Sequence, residues 1–355
     1  MAVGFRLGGV CLYSFVKYSD MYKDAWDSFA REHGSFFSLI AWKELLEENF
    51  GYKSMYHLIF DSEGKIVGLM PLMEGRNLSL RKIGVSLPFV NYLDICCDDD
   101  NVINAVGEWI RKVVDTEKLD YIELRLKNEK AEILSTIPDE SNYTFIMKLN
   151  GTEEEIMQRS TSDNRNHIRK CYKNNYFSVS YDKNNLDMFY KVFAKRQKQL
   201  GSPTFGIDFL KKVMDKLPEN TFLLTVLENE NKSVCGGMFL FGFGDTLYYQ
   251  WGGSDIKYNS KYINNFMYWE AIKFGLNNGY KYLDFGRSPY DSGTFRFKKQ
   301  WGTDIIPLKY CRFSSKPNVI IDSRKKYKKA IEVWKFAPNF VTNIVGKKLI
   351  KYVMP

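Results

Sequence analysis

One arrangement is written twice in this chain, and it limits the fold more than any other feature. "YHLIFDSEGKIVGLMPLM" (56–73) reads as strand, polar turn, strand, with "DSEGK" as the turn. "FLLTVLENENKSVCGGMFLF" (222–241) reads the same way around "ENENK". A Val followed closely by Gly marks each second strand: Val67-Gly68 and Val234-Cys235-Gly236. A helix-period segment follows each hairpin (102–114 and 264–276) and runs into a short strand, "DYIELRL" (120–126) or "KYLDFG" (281–286). Val67 and Tyr121 lie 54 positions apart, Val234 and Tyr282 48. A duplicated α/β (α+β) lobe with mixed sheets accounts for both order and spacing. We place the first lobe at 1–150, the second at 151–321 and a basic helical tail at 322–355.

Between the copies, Thr152 and Glu155 form a capping box that opens a helical stretch (153–176), broken near 160–163. A further helix, 185–200, stops at "LGSPTF", where Gly201 and Pro203 end it.

The net charge of +9 is unevenly placed. From Asp322 onward there are nine Lys/Arg against two Asp/Glu, leaving the preceding lobes nearly neutral. That pattern disfavours a broad nucleic-acid face and favours a tail that meets an anionic surface. The tail divides at Pro338. Before it, "SRKKYKKAIEVWKFA" is a cationic helix; after it, Val341, Val345, Leu349 and Val353 recur every fourth residue. Two placements suit such a helix: docking on the second lobe, or contact with an anionic bilayer.

No run approaches the ~18 consecutive apolar residues of a membrane span. The N-terminal segment lacks a basic start and a small-residue cleavage site, so it reads as a first strand and the expected location is cytoplasmic. Six cysteines show no C-x-x-C spacing and read as scattered reduced core thiols, with no metal site. The three histidines form no nucleophile motif with Ser or Cys, which argues against a hydrolase.

"YLDFGRSPYDSGTFRFKKQWG" (282–302) carries the chemistry. Gly286 follows a core strand, where it permits a positive φ or a close ligand approach. Arg287 and Ser288 then lie at a strand end, the usual ligand position in α/β sheets. If "TFRFKKQW" is a helix, Thr294 can cap it. Phe295, Lys298 and Lys299 then share one side, Phe297 and Trp301 form the buried one, and Gly302 ends it. A lysine held there can stabilise an oxyanion or bind a phosphate.

This stretch, continued as "TDIIPLKY", resembles the C-terminal signature of the FemAB-like branch of the GNAT acyltransferases. Other segments agree in order: "FFSLIAWKELLEENFGY", "IVGLMPLM" and "VSLPFVNY" in the first lobe, then "RNHIRKCYK", "RQKQLGSPTF", "YQWGGSDIKYN" and the tail "VWKFAPNFVTNIVGKKL". The resemblance spans nearly the whole chain and implies two GNAT-like lobes. It implies transfer of an acyl or aminoacyl group to an amine of a cell-envelope precursor or glycan, from aminoacyl-tRNA or acyl-CoA. It also implies a lipid-linked glycan or peptide acceptor, and a place at the inner membrane face. Two other readings stay open: a CoA-dependent N-acetyltransferase acting on an amino sugar, and a non-catalytic scaffold in polysaccharide export.

In that family the lysine of the Phe-Lys block acts at the tetrahedral intermediate, which maps to Lys298. Asp94 in "NYLDI" is the candidate base, or else a turn residue. Arg287, Ser288 and Phe297 are carried over as substrate-binding positions, as are Trp42, Lys43, Asn91, Tyr92, Trp251, Arg165, Arg169 and Lys198. Arg287 can hold an anion or pair with Asp284 or Asp304. Trp42 and Trp251 can equally be core aromatics, and Arg165 and Arg169 a solvated helix face.

The sequence departs from the family in three places. "INN" (263–265) stands where Pro-Asn often opens the helix, Ile40 and Ala41 precede Trp42 in place of a Gln, and no segment is long enough for a coiled-coil tRNA arm. Neither lobe has the Gly/Arg-rich turn that cradles a CoA pyrophosphate, and "GFGD" opens no dinucleotide-binding helix.

Overall fold

The computed structural model describes residues 3–7, 10–97, 99, 101–127, 134, 139–316 and 326–353. Chain contacts separate two units: Met1–Asn142 with Pro307–Ser323 and Lys351–Pro355, and Tyr143–Ile306 with Arg324–Ile350.

In the first unit β1 (Val3–Leu7) and β2 (Val10–Lys17) form an antiparallel pair, so the segment expected as one strand is two. Helices α1 (Lys23–His33) and α2 (Ile40–Phe50) follow, and Gly51, at φ +67°, ends α2 in the left-handed region that glycine adopts without a Cβ penalty. Next come β3 (Lys53–Ser54), β4 (His57–Phe60), β5 (Ile66–Met70), β6 (Met73–Arg76), β7 (Lys82–Val85), β8 (Cys96–Cys97), α3 (Asn101–Thr116) and β9 (Tyr121–Leu126). One sheet has the order β1-β2-β4-β5-β8. In another, β6 pairs with β3 and β7, while β9 runs parallel to β7. Helix α3 buries Val102, Val106, Trp109 and Ile110 on one face, as its period requires, with Trp109 stacked on Phe15 at 4.9 Å.

The second unit takes β10 (Asp139–Lys148) from Tyr143 on. Helices α4 (Glu153–Arg159) and α5 (Ser162–Lys173) realise the broken helix, and the Thr152–Glu155 capping box is formed. There follow β11 (Phe177–Ser180), α6 (Leu186–Gln199), α7 (Ile207–Lys216), β12 (Thr221–Glu228), β13 (Val234–Phe243), β14 (Thr246–Ser254), α8 (Ile263–Asn277), β15 (Tyr282–Asp284), β16 (Ser288–Pro289) and α9 (Gly293–Lys299). The strands order β11-β12-β13-β14-β15-β10, and β14 is parallel to β15. The duplication is therefore visible as a helix joining two parallel strands: α3 between β7 and β9, and α8 between β14 and β15.

The last strand departs from the expected division. In β17 (Asp304–Phe313), Lys309 to Phe313 pair antiparallel with Leu126 to Ile122 of β9, in the first unit. The reason is packing. Cys311 and Phe313 join the core of Ile122, Leu124 and Trp109, while Leu308 and Tyr310 pack with Tyr92.

The tail forms α10 (Lys328–Phe336) and α11 (Asn339–Val353), parted at Pro338 as the sequence indicates. It docks on the second unit, although not through the expected stripe. The buried side of α11 is Thr342, Gly346 and Ile350, with Gly346 lying against the Thr204 backbone. Val345 is exposed, because only the side carrying a glycine can approach that backbone closely. Ile331 of α10 sits over Gly201, and the Lys198 ammonium donates to Asn339 Oδ1 at 2.8 Å.

Candidate active site

β14 and β15 pair only over Thr246–Tyr248 and Tyr282–Asp284. Beyond that they part. Tyr249 continues along β13, whereas the amide of Phe285 donates to the Phe145 carbonyl of β10. Tyr268 of α8 contacts both strand ends, with ring centroids 5.5 Å from Tyr249 and 4.9 Å from Phe285, and it stacks on Trp301.

Gly286, at φ +74°, turns the chain at this parting, and α9 returns over it. Ser292, rather than Thr294, caps α9 by accepting from the Phe295 amide at 3.1 Å. The expected facing is corrected in part. Phe295 and Lys298 point inward together, Phe295 against Phe145 and Tyr143, but Lys299 is exposed and Phe297 is only half-buried, against Tyr268 and Trp301. A seven-residue helix shows one narrow side to the core, and the 298–299 step carries the second lysine off it. Gly302, at φ +71°, ends the element as the sequence indicates.

The Lys298 side chain is 5 % exposed. Its ammonium donates to the carbonyl oxygens of Gly286 (2.9 Å) and Arg287 (3.1 Å), and lies 5.6 Å from the Phe145 ring centre. An ammonium has three donors, so one remains after these two bonds. Burial pulls its pKa down to about 7, the Asp284 carboxylate works against that fall, and the Arg287 charge adds to it. Asp284 is itself buried and accepts from Thr144 Oγ1 (2.6 Å) and the Gly286 amide (2.7 Å). Ser288 is fully buried, and its hydroxyl has no partner among the described residues. Arg287 is half-buried; of its two suggested acidic partners, Asp304 is engaged with Lys148 at 2.9 Å.

The start of α8, where an acyl-CoA pyrophosphate would need open backbone amides, is covered by side chains. The His167 ring stacks on Tyr262 at 4.1 Å, the Lys170 ammonium lies over that same ring, and Lys261 is paired with Glu228 at 3.0 Å. Asn265, within the "INN" departure, is buried and donates to Asn164 Oδ1 at 2.7 Å.

The remaining sequence candidates are less concentrated. In the second unit Arg165 donates to the Ser160 carbonyl, closing the end of α4, and Arg169 is exposed. Lys198 holds the tail, and Trp251 is half-buried among Phe205, Phe209, Phe239 and Phe241. In the first unit Trp42 is fully buried against Phe36 and Phe37, which corrects its reading as a substrate contact: it has no surface to offer. Lys43 bonds Glu47 one helical turn away. Asp94 accepts the Lys127 amide at 2.7 Å, a long-range bond that ties its segment to the end of β9. The Asn91 carbonyl accepts from the Tyr310 hydroxyl, and Tyr92 is buried beneath the Lys127 ammonium. A separate cleft of about 230 Å³ lies beside Lys53, Arg76, Lys82 and Lys351, and none of the candidates lines it. Its lysines complement carboxylates and the end of α3: Lys53 and Lys82 approach Glu74, and Lys82 donates to the Glu117 carbonyl.

Asp284, Thr144 and the Asn164–Asn265 pair escaped sequence reasoning. Asp284 was visible in "YLDFG", but only the fold shows its carboxylate turned back to hold the Gly286 amide. Among the described residues no cluster of His, Cys, Asp and Glu can hold a metal ion. Cys171 and Cys235 are buried, and burial raises both thiols to about 12.

Residues 159–299 match the family model of the acetyltransferase (GNAT) domain, a span that contains the parted strands and Lys298. The structure titled FemX covers 87% of this chain and 98% of its own, at TM-score 0.64 and 16% identity. The fold is the GNAT fold, shared with FemX. L-PGS from Bacillus licheniformis shares it over 90% of this chain and 97% of its own, at TM-score 0.55 and 12% identity. A tandem GNAT protein from the clavulanic acid biosynthesis pathway does so over 86% and 100%, at TM-score 0.54 and 7% identity. No curated protein sequence matches at a significant level. In GNAT terms, Lys298 stands at the parting of the two parallel strands of the second unit.

Proposed function

We propose that this GNAT-fold protein is an acyltransferase that moves an aminoacyl or other acyl group onto an amine of a lipid-linked cell-envelope glycan or peptide, at the inner face of the membrane. The observation that carries this reading is the buried Lys298 ammonium, held by two carbonyls at a strand parting with one donor uncommitted. The acceptor amine attacks the carbonyl carbon of the donor, and the carbonyl electron pair moves to oxygen. Lys298 donates its third N–H to that oxyanion, in a site where low dielectric makes the bond strong. Collapse expels the donor's alcohol or thiol, which takes the proton released by the new amide. Arg287 orients an anionic part of the substrate bidentately.

The donor we favour is an aminoacyl ester, as in aminoacyl-tRNA. The covered start of α8 supports this, since a CoA pyrophosphate seated there would have to displace His167 and Lys170 from Tyr262. The alternative, acyl-CoA, is favoured by the match to an acetyltransferase model. Incubating the purified protein with labelled aminoacyl-tRNA and, separately, with acetyl-CoA decides between them. Consumption of neither in the presence of amine acceptors, by protein that is folded, would sink the enzymatic reading and leave the scaffold.

A further inference from the structure

The docked tail presents an apolar and cationic face outward. On α10, Ile331 and Trp334 turn inward; Lys329, Val333 and Phe336 occupy the opposite side by helical spacing. Phe336 is 86 % exposed and Val333 71 %. On α11 the packed side is Thr342, Gly346 and Ile350, and Ile344, 61 % exposed, lies opposite with Lys348 and Lys351. Gly346 also contacts Trp334, so the inward sides of the two helices meet each other as well as the 201–204 segment.

Folding gains nothing from leaving Val333 and Phe336, neighbours on one side of α10, and Ile344 of α11 in water, and exposed apolar neighbours of this kind mark a binding surface. Charge selects the occupant. Among residues 326–353 there are seven lysines and one acid, Glu332, which Lys335 already pairs at 2.7 Å. Apolar side chains ringed by lysines match the boundary of a bilayer with anionic headgroups, where the rings enter the acyl region and the ammonium groups stay among the phosphates. No described helix is long and apolar enough to cross a membrane, so contact of this kind is interfacial.

We propose that α10 and α11 seat the protein on an anionic lipid surface, through Val333, Phe336 and Ile344 as the inserted side chains and Lys329 and Lys348 as the headgroup contacts. The site would bring a membrane-bound acceptor to the enzyme, yet it is independent of the donor and of the role of Lys298.

Flotation of the full-length protein with vesicles of phosphatidylcholine, with and without phosphatidylglycerol, tests it. The protein should float with the phosphatidylglycerol vesicles only and be released by high salt. V333S/F336S should weaken association about tenfold or more, and K329E/K348E likewise, each variant keeping the wild-type thermal midpoint. Because all four side chains are exposed, folding should be unaffected. Vesicle binding absent in the wild type, or unchanged in both variants, overturns the proposal. So does a wild-type dimer in sedimentation that V333S/F336S dissociates, which would make a second copy the occupant. Lys298→Met should float as the wild type does, so failure of the catalytic reading and failure of this one are distinguishable.

Discussion

The ammonium of Lys298 donates to the carbonyl oxygen of Gly286 over 2.9 Å, so the helix bearing the lysine is fastened to the glycine turn that follows a core strand. A buried cation fixed in this way needs no reorganisation when a neighbouring oxygen gains charge, which is the condition for electrostatic catalysis.

Replacing it should therefore cost rate before fold. Lys298→Met should lower single-turnover transfer by roughly 10²–10³-fold, the scale of losing one oxyanion donor. Circular dichroism should remain that of the wild type. Retained transfer by the folded variant would remove Lys298 from the chemistry.

The pH dependence has a defined sign. Burial lowers the Lys298 pKa to about 7, and the donor form is the ammonium. Transfer measured at saturating substrate should decline as pH rises through that value. A rise over the same interval would mean that the neutral amine acts, as a base. Asp284→Asn, which removes the charge that opposes the fall, should move the profile to lower pH.

Stability should carry the same signature with the opposite slope. Between about 7 and the unfolded value near 10.5, the unfolded lysine binds a proton that the folded one does not. Wild-type stability in that window therefore gains up to about 1.4 kcal/mol per pH unit relative to Lys298→Met, and the difference is flat below it. Paired urea titrations across the window measure this. A constant difference would show that the lysine is protonated throughout.

In the first unit, Glu123 accepts from Arg125 Nε (2.9 Å) and Arg312 Nε (2.7 Å), all three side chains at least partly withdrawn from water. Burial raises the Glu123 carboxyl, but the two guanidinium groups prevail and hold it below its ordinary value. Arg125→Met should destabilise by about 1–3 kcal/mol in denaturant unfolding, because it leaves the buried Glu123 carboxylate with Arg312 alone. The ion-pair contribution is present above the unfolded carboxyl pKa and is lost as pH falls through the depressed one. A cost under about 1 kcal/mol would contradict the burial of the network.

Gly302 offers a backbone test. At φ +71°, an added Cβ would lie 2.5 Å from the Arg159 carbonyl oxygen, so Gly302→Ala should destabilise by about 2 kcal/mol or more. A thermal midpoint equal to the wild type would place that strain elsewhere.

Much of this was legible in the residues. Periodicity located α3, which buries one face, whereas α8 and β9, buried on nearly every side, were legible from the length of their apolar runs and the turns around them. Thr152, Glu155, Gly201 and Pro338 marked helix ends through local bonds that need no tertiary context. What escaped depended on distant partners. The sequence of "IIPLKYCRF" says strand, but nothing in it says that Cys311 and Phe313 fit a core built by residues 102–126. The tail's apolar stripe was read from hydrophobicity, whereas Gly346 determined which side packs, since backbone approach outweighs side-chain polarity there. Trp42 and Lys198 carried a family resemblance, and the fold gives one to the core and the other to the tail.

The pairing of β17 with β9 has a consequence for how the molecule is made. Leu126 leaves the ribosome long before Phe313, so the edge of β9 must wait, uncovered, through the synthesis of most of the polypeptide. A fragment ending near residue 150 would keep that edge permanently open and should aggregate, while a separate peptide spanning 304–313 should rescue it by adding the missing strand.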